Sequence, residues 1–245
     1  MGILLNTAYL MLVEGRRQRY EGKVLQLGRQ SILFNYEQLQ LLASTAGYPL
    51  REVEGLDPTR SRLTDVEFFK SLGFTDVESM EYGTCEGATY IWDLNIPIAQ
   101  SEALEILLSN KFDFVFDGGT IEHVFHVPNC MDSICRLLRM GGRVCHDGGV
   151  SGTIDHGFYA IQPTFFYDFY TAQGFNVDQQ TVSKVELAKW LSHTGEQTIY
   201  KPGMYDYHKG WALSADSFHT STVFATKSVE YTEMKMPQQS LWSRK

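Results

Sequence analysis

Four of the seven histidines, His123, His126, His146 and His156, crowd into the middle of the chain. An imidazole titrates near neutral pH, so each can take the proton of a hydroxyl nucleophile as a new bond forms. His156 lies in Asp155-His156-Gly157, where the neighbouring carboxylate is placed to hold one ring tautomer. His123 follows Glu122, and His146 precedes Asp147. His156 is therefore the first candidate base, with Asp155 as its orienting acid, His123 as the second candidate and His146 as the reserve. A Glu-His pair also suits the plainer task of fixing a loop by hydrogen bonding. Asp117, Glu122, His123 and Asp147 are donors of the types that bind magnesium or manganese. Their spacing matches no exclusive metal signature, and no ligand is assigned.

A second set of residues suits ligand binding. Glu81, the run Asp93-Leu94-Asn95 and the pair Asp117-Gly118 each end an apolar run, and Gly28-Arg29-Gln30 ends another. A carboxylate after one strand, here Glu81 followed by Tyr82, can accept both hydroxyls of a ribose. Polar groups after the next strand can meet the edge of an adenine ring. Any one of these acids reads equally well as a loop start or a helix cap. Their agreement favours a site.

These residues need a frame that brings strand ends together. Phe112 to Phe116 and Arg143 to His146 are short apolar runs, as strands buried on both faces of a parallel sheet are. Between them Pro128 to Arg139 carries Met131, Ile134, Cys135 and Leu138 at helical spacing, with Met140-Gly141-Gly142 as a stop. Strand, helix, strand is a right-handed crossover, and it leaves Asp117 and Gly118 at the carboxyl edge where open α/β sheets bind ligands. Further strands are expected over 21–27, 76–82 and 89–94, and helices over 33–45, 64–73, 101–109 and 163–173. Residues 176–186 and 221–231 are expected to pair as an antiparallel edge. The expected fold is α/β and Rossmann-like: a mostly parallel sheet, helices on both faces and an antiparallel C-terminal hairpin. One domain is expected over 1–245, made of an N-terminal helix (1–20), a cofactor-binding core (22–186), an inserted cap (187–219), a final strand (220–232) and a tail (233–245).

The residues then resemble a family, the class I S-adenosylmethionine-dependent methyltransferases. FDFVFDGGTIEHVFHVPNCMDSICRLLRMGG looks like the family's fourth strand and following helix, VLQLGRQ resembles its first motif, and Glu81 matches its ribose-binding acid. EGATYIWDLNIPI, DGGTIEHVFHVP and HGFYAIQPTFFYDFY are similar to a subgroup associated with polysaccharide modification. The resemblance covers roughly residues 22–175. It implies an O-methyltransferase with S-adenosylmethionine as cofactor, a sugar or other small-molecule acceptor, and cofactor contacts from Gly28, Arg29, Gln30, Glu81, Tyr82, Asp93, Leu94, Asn95, Asp117 and Gly118. The first motif departs from the family pattern. Gln30 and Ile32 stand where glycines are usual, so the backbone cannot approach a cofactor as closely, and Gln30 with Ser31 is left to meet the methionine end. That departure keeps a catalytically silent binding or scaffold protein open as the alternative. It also counts against a nicotinamide enzyme, which needs the phosphate-binding glycine turn.

Composition narrows the partners. A formal net charge of -8 without a basic stripe counts against nucleic acid. Four cysteines without paired spacing read as small apolar residues in a reducing, cytoplasmic setting. The apolar start is broken by Asn6 and Thr7 and is too short for a membrane span, so a helix packed on the sheet or covering the site is expected. The aromatic run from Trp190 through Tyr200, Tyr205, Tyr207 and Trp211 suits stacking on a sugar ring, or equally a small apolar cap.

Overall fold

Alternation of side chains along each strand sets the layers. In the computed structural model, which describes residues 2–202 and 216–240, the strand β2 (Lys23–Leu27) sends Leu25 and Leu27 into one apolar cluster and Val24 into another. Strand β6 (Phe112–Asp117) does the same, with Val115 on the first side and Phe114 and Phe116 on the second. The sheet is thus buried on both faces. One face is covered by helices α1 (Leu5–Arg17), α2 (Tyr36–Ala46) and α3 (Asp65–Leu72), and the other by α4 (Glu102–Leu108), α5 (Val127–Leu137) and α6 (Pro163–Ala172).

The eight-stranded sheet also contains β4 (Asp76–Glu81), β5 (Tyr90–Ile91), β7 (Leu138–Ser151), β8 (Asn176–Glu186), β9 (Glu196–Ile199) and β10 (Ser217–Thr226), in the order β5-β4-β2-β6-β7-β10-β8-β9. The pairings from β5 to β7 are parallel and those from β7 to β9 antiparallel. The Rossmann-like expectation holds. The late antiparallel pair does not form the edge, however. β10 is inserted between β7 and β8, it spans Ser217–Thr226 rather than 220–232, and β9, from the segment expected as a cap, is the outer strand. The inner position suits a strand with Val223, Phe224 and Ala225 fully buried.

Two local expectations are corrected. The Gly28 turn does not open directly into a helix at Leu33. Ser31–Ile32 (β3) first pairs with Gly2–Ile3 (β1), and α2 begins only after Asn35, whose side chain accepts from the Gln38 amide while Gln38 caps the Asn35 amide in return. That reciprocal cap fixes the start. Nor does Gly141-Gly142 stop α5. The helix ends at Leu137, Leu138 already pairs with Phe112, and Arg139–Gly142 bulges out before Arg143 pairs with Phe114. Glycine is needed there because a Cβ at Gly142 would lie 2.9 Å from the Phe112 carbonyl oxygen.

Helix α1 lies on the sheet. Thr7, one of the residues that broke its apolar run, donates to the buried Asp147 at 2.5 Å, and Glu14 pairs with Arg143 at 3.2 Å. Residues 233–239 of the tail form no regular element, but Gln173 and Lys235 exchange two hydrogen bonds that fasten it to the end of α6. Three of the four cysteines, Cys130, Cys135 and Cys145, are buried, and Cys85 is exposed. Among the described residues no helix is long and apolar enough to cross a membrane.

Candidate functional site

In the parallel half of the sheet the chain runs outward from β2 to β4 and β5, then returns to place β6 on the other side of β2. The crevice at the carboxyl ends of β2 and β6 is therefore the switch point where such sheets take ligands. Gly28 turns there with φ 72°, and its amide donates to the Met80 carbonyl. The next amide, of Arg29, donates to Glu81 Oε1 at 2.7 Å, which seats the Glu81 carboxylate on the turn. Glu81 is half-buried, and its second oxygen has no hydrogen-bond donor among the described residues.

The other expected contacts fall into two groups. Gly28, Gln30, Glu81 and Gly118 converge on the crevice. Arg29 turns its guanidinium onto Asp65, at 2.6 and 3.0 Å, and braces α3 instead. Tyr82 is 76% exposed and directed away from the core. Asp93 Oδ1 accepts from both the amide and the side chain of Asn95, and Asn95 in turn holds the head of α5 through the His126 amide and the Asn129 side chain. Leu94 is buried in the apolar cluster. Asp117 is also engaged: Oδ1 accepts from the amides of Thr120 and Ile121, and Oδ2 accepts from His146 Nδ1 at 2.7 Å.

Gln30 fills the crevice. Its amide nitrogen donates to the carbonyls of Leu27 and Gly28 at 3.2 and 3.0 Å, while its buried Oε1 has no donor among the described residues. That oxygen and Phe116 Cε1 each lie 2.6 Å from where a Cβ on Gly118 would be, so a larger residue there would have to displace both side chains. Nearby, between β6 and β7, a cavity of about 10 Å³ lined by Asp117, Glu122, His146 and Phe166 has room for one water molecule.

His146 is not paired with Asp147. It sits 1% exposed between Asp117 and Tyr170, stacked on Phe166 at 4.5 Å, and its Nε2 accepts from the Tyr170 hydroxyl at 2.6 Å. Burial pushes the Tyr170 phenol well above its usual range, which keeps it the donor. Asp147 is held by the hydroxyls of Thr7 and Thr222, and burial pushes its carboxyl up. This relay braces the sheet under the site.

His123 and His156 do meet. Their rings are 5.1 Å apart, and His156 Nε2 is 3.7 Å from Glu122 Oε1. The acid beside His156 is thus Glu122. Asp155, the expected orienting acid, is exposed, has φ 65°, and makes no ion pair with His156 among the described residues. Its left-handed backbone turns the loop so that the amides of Phe158 and Tyr159 both donate to the Glu122 carbonyl, at 2.8 and 3.3 Å. Gly157 is required at that approach, since a Cβ would lie 2.9 Å from the same oxygen. The loop also carries Phe158 and Tyr159 against Phe125, with ring centroids 5.6 and 6.4 Å from it. These three exposed rings form an aromatic surface beside the histidines.

Glu122 is raised from 4.5 to about 8, first by burial and then by the charges of Asp117 and Asp147. His123 is lowered by burial and by His156. The folded state therefore binds the Glu122 proton more tightly than the unfolded chain does. The stabilisation is full below about pH 4.5 and is lost as pH rises towards about 8. Glu122→Gln should remove that slope. Melting curves of wild type and variant should diverge between these limits, wild type losing ground as pH rises, and parallel curves would refute the shift.

Tyr170, Phe125 and the loop-locking role of Gly157 escaped the sequence reading. Glu122 is expected as the partner of His123 and among the metal-type donors, but nothing in the spacing ties it to His156. Tyr205, Tyr207 and Trp211 of the expected aromatic surface lie outside the described residues. Trp190 is partly exposed, and Tyr200 exchanges a hydrogen bond with Thr164 at 2.8 Å.

No protein-family model and no curated protein sequence matches the chain. Solved structures align at low identity. A SAM-dependent methyltransferase from Archaeoglobus fulgidus is 12% identical over 90% of this chain and 94% of its own, with a TM-score of 0.44. The YcgJ protein from Bacillus subtilis is 11% identical over 91% and 99%, with a TM-score of 0.42. TehB from Haemophilus influenzae is 13% identical over 88% of this chain with a TM-score of 0.43, and the match spans 61% of TehB.

Proposed function

We propose that the chain binds S-adenosylmethionine across the carboxyl ends of β2, β4 and β6 and methylates a hydroxyl, most suitably on a sugar. The observation that carries the reading is the Glu81 carboxylate, seated on the Gly28-Arg29 turn with one oxygen free at the switch point. A carboxylate so placed accepts from vicinal hydroxyls. Gly118 leaves the opposite wall without a side chain, and the unpaired Gln30 Oε1 is a ready acceptor for an ammonium group. The donor set fits the cofactor, provided Gln30 swings aside. Bound there, S-adenosylmethionine would supply a methyl group that leaves with its bonding pair kept by sulfur, as the acceptor oxygen bonds to carbon and releases its proton.

The chain's own residues supply the rest. His156 takes the released proton at an imidazole nitrogen, with the Glu122 carboxyl 3.7 Å away beside it. Phe125, Phe158 and Tyr159 offer flat apolar faces with a phenolic edge, as a sugar ring requires. Glu81→Ala should weaken S-adenosylhomocysteine by about 1.5–3 kcal/mol, the range for hydrogen bonds to a charged group. Calorimetric titration of a folded variant measures this, and an unchanged dissociation constant would remove Glu81 from the site.

A second reading rests on Gln30. A side chain that fills the crevice suits a catalytically silent relative that keeps the sheet as a scaffold. Titration of wild type with S-adenosylhomocysteine, followed by mass spectrometry of a glycan panel, separates the two. Binding with turnover supports the enzyme, and binding without turnover, or no binding, supports the scaffold.

A further inference from the structure

We infer that Glu122, His123 and His156 form a binding site for one divalent transition-metal cation, which holds and activates the acceptor hydroxyl. One ligand atom from each residue lies within 4.8 Å of the other two. Two ligands of a zinc-class ion at bond lengths of about 2.0–2.2 Å can be at most about 4.4 Å apart. Glu122 Oε1 and His156 Nε2, at 3.7 Å, already meet that limit. The exposed imidazole of His123 closes the remainder by a small rotation.

The position of Glu122 is the independent observation. Its side chain is only 6% exposed, yet apart from its own backbone amide no described group donates a hydrogen bond to the carboxylate, and His156 Nε2 lies 3.7 Å from Oε1. A buried carboxylate so placed is costly unless it keeps its proton or a cation joins it. The backbone is arranged to bring these groups together. The Phe158 and Tyr159 amides on the Glu122 carbonyl, with Gly157 at the contact, tie the loop carrying His156 to the turn carrying Glu122 and His123. Two imidazoles and one carboxylate suit zinc, iron, cobalt or manganese and leave coordination positions open. Asp117 and Asp147 are excluded as ligands by their inward hydrogen bonds.

An open position next to the Phe125–Phe158–Tyr159 surface would take the acceptor hydroxyl and lower its pKa, its proton passing to solvent. In the metal-loaded protein His156 serves as a ligand, and its role as base belongs to the metal-free protein. This role of the cation rests on the methyl-transfer reading, but the site itself does not. The test is a Co²⁺ titration of the metal-stripped protein followed by visible absorption, with S-adenosylhomocysteine affinity measured in parallel. One equivalent of Co²⁺ should give a saturable spectrum. His123→Ala and His156→Ala should each weaken binding about 10-fold or more, and His126→Ala should leave it unchanged. Absence of a saturable spectrum, or equal Co²⁺ binding by the His123→Ala/His156→Ala double variant, would overturn the site even if S-adenosylhomocysteine binds. A spectrum without S-adenosylhomocysteine binding would uphold the site and remove the methyl-transfer reading.

Discussion

In the metal-free protein His156→Ala is expected to lower turnover by about 10²–10⁴-fold, the usual contribution of a positioned general base, while S-adenosylhomocysteine binds nearly as tightly as to wild type. The split follows from position. His156 is on the loop after β7, beside Glu122, whereas the residues proposed to hold the cofactor are at the ends of β2, β4 and β6. With a side chain 53% exposed, its removal opens no cavity in the core, so the fold should persist. A lost rate with kept affinity identifies an interaction made on the way to the transition state. His123→Ala is the companion measurement on the same acceptor. If it alone loses rate, the proton belongs to His123. If both variants keep full rate, the histidine pair is not part of the chemistry.

Asp117→Ala should destabilise the fold by about 3–5 kcal/mol, as removal of one partner from a buried hydrogen-bonded pair does. Asp117 is the common acceptor for the Thr120 and Ile121 amides and for His146 Nδ1, and all three would lose it at a buried position. Tyr170→Phe removes only the hydroxyl that donates to His146 and should cost about 1–2 kcal/mol. Urea unfolding of both variants measures the difference. If Asp117→Ala is as stable as wild type, the relay does not brace the sheet. Should Asp117→Ala fail to fold at all, Tyr170→Phe still reports on the relay through its smaller loss.

The parallel sheet was legible in the sequence because burial on both faces leaves short apolar runs, and glycine, proline and capping residues mark their ends. Thr64 with Glu67 opened α3 as expected, and Pro163 opened α6. The same code misled where local signals compete with pairing partners far away in the chain. Gly141-Gly142 looks like a helix stop, yet it is a bulge, because Leu138 is claimed by Phe112 and Arg143 by Phe114. β10 looked like one arm of an edge hairpin, and only the sheet could show it lying between β7 and β8.

The sequence by itself determined which residue types reach the carboxyl edge, because a strand-end position follows from local pattern. It placed Glu81 beside the Gly28 turn and put His123 and His156 on neighbouring loops. Which way their side chains face was decided by tertiary structure alone. Asp117, an expected cofactor contact, and His146, the reserve base, turn inward because each finds a buried partner, and Gln30 folds into the crevice to cap two carbonyls. Glu122 replaces Asp155 beside His156 because two amides draw the loop onto the Glu122 carbonyl and the left-handed backbone at Asp155 turns the chain there. Hydrogen-bond partners separated by tens of residues leave no periodicity, so no local reading could have chosen among them.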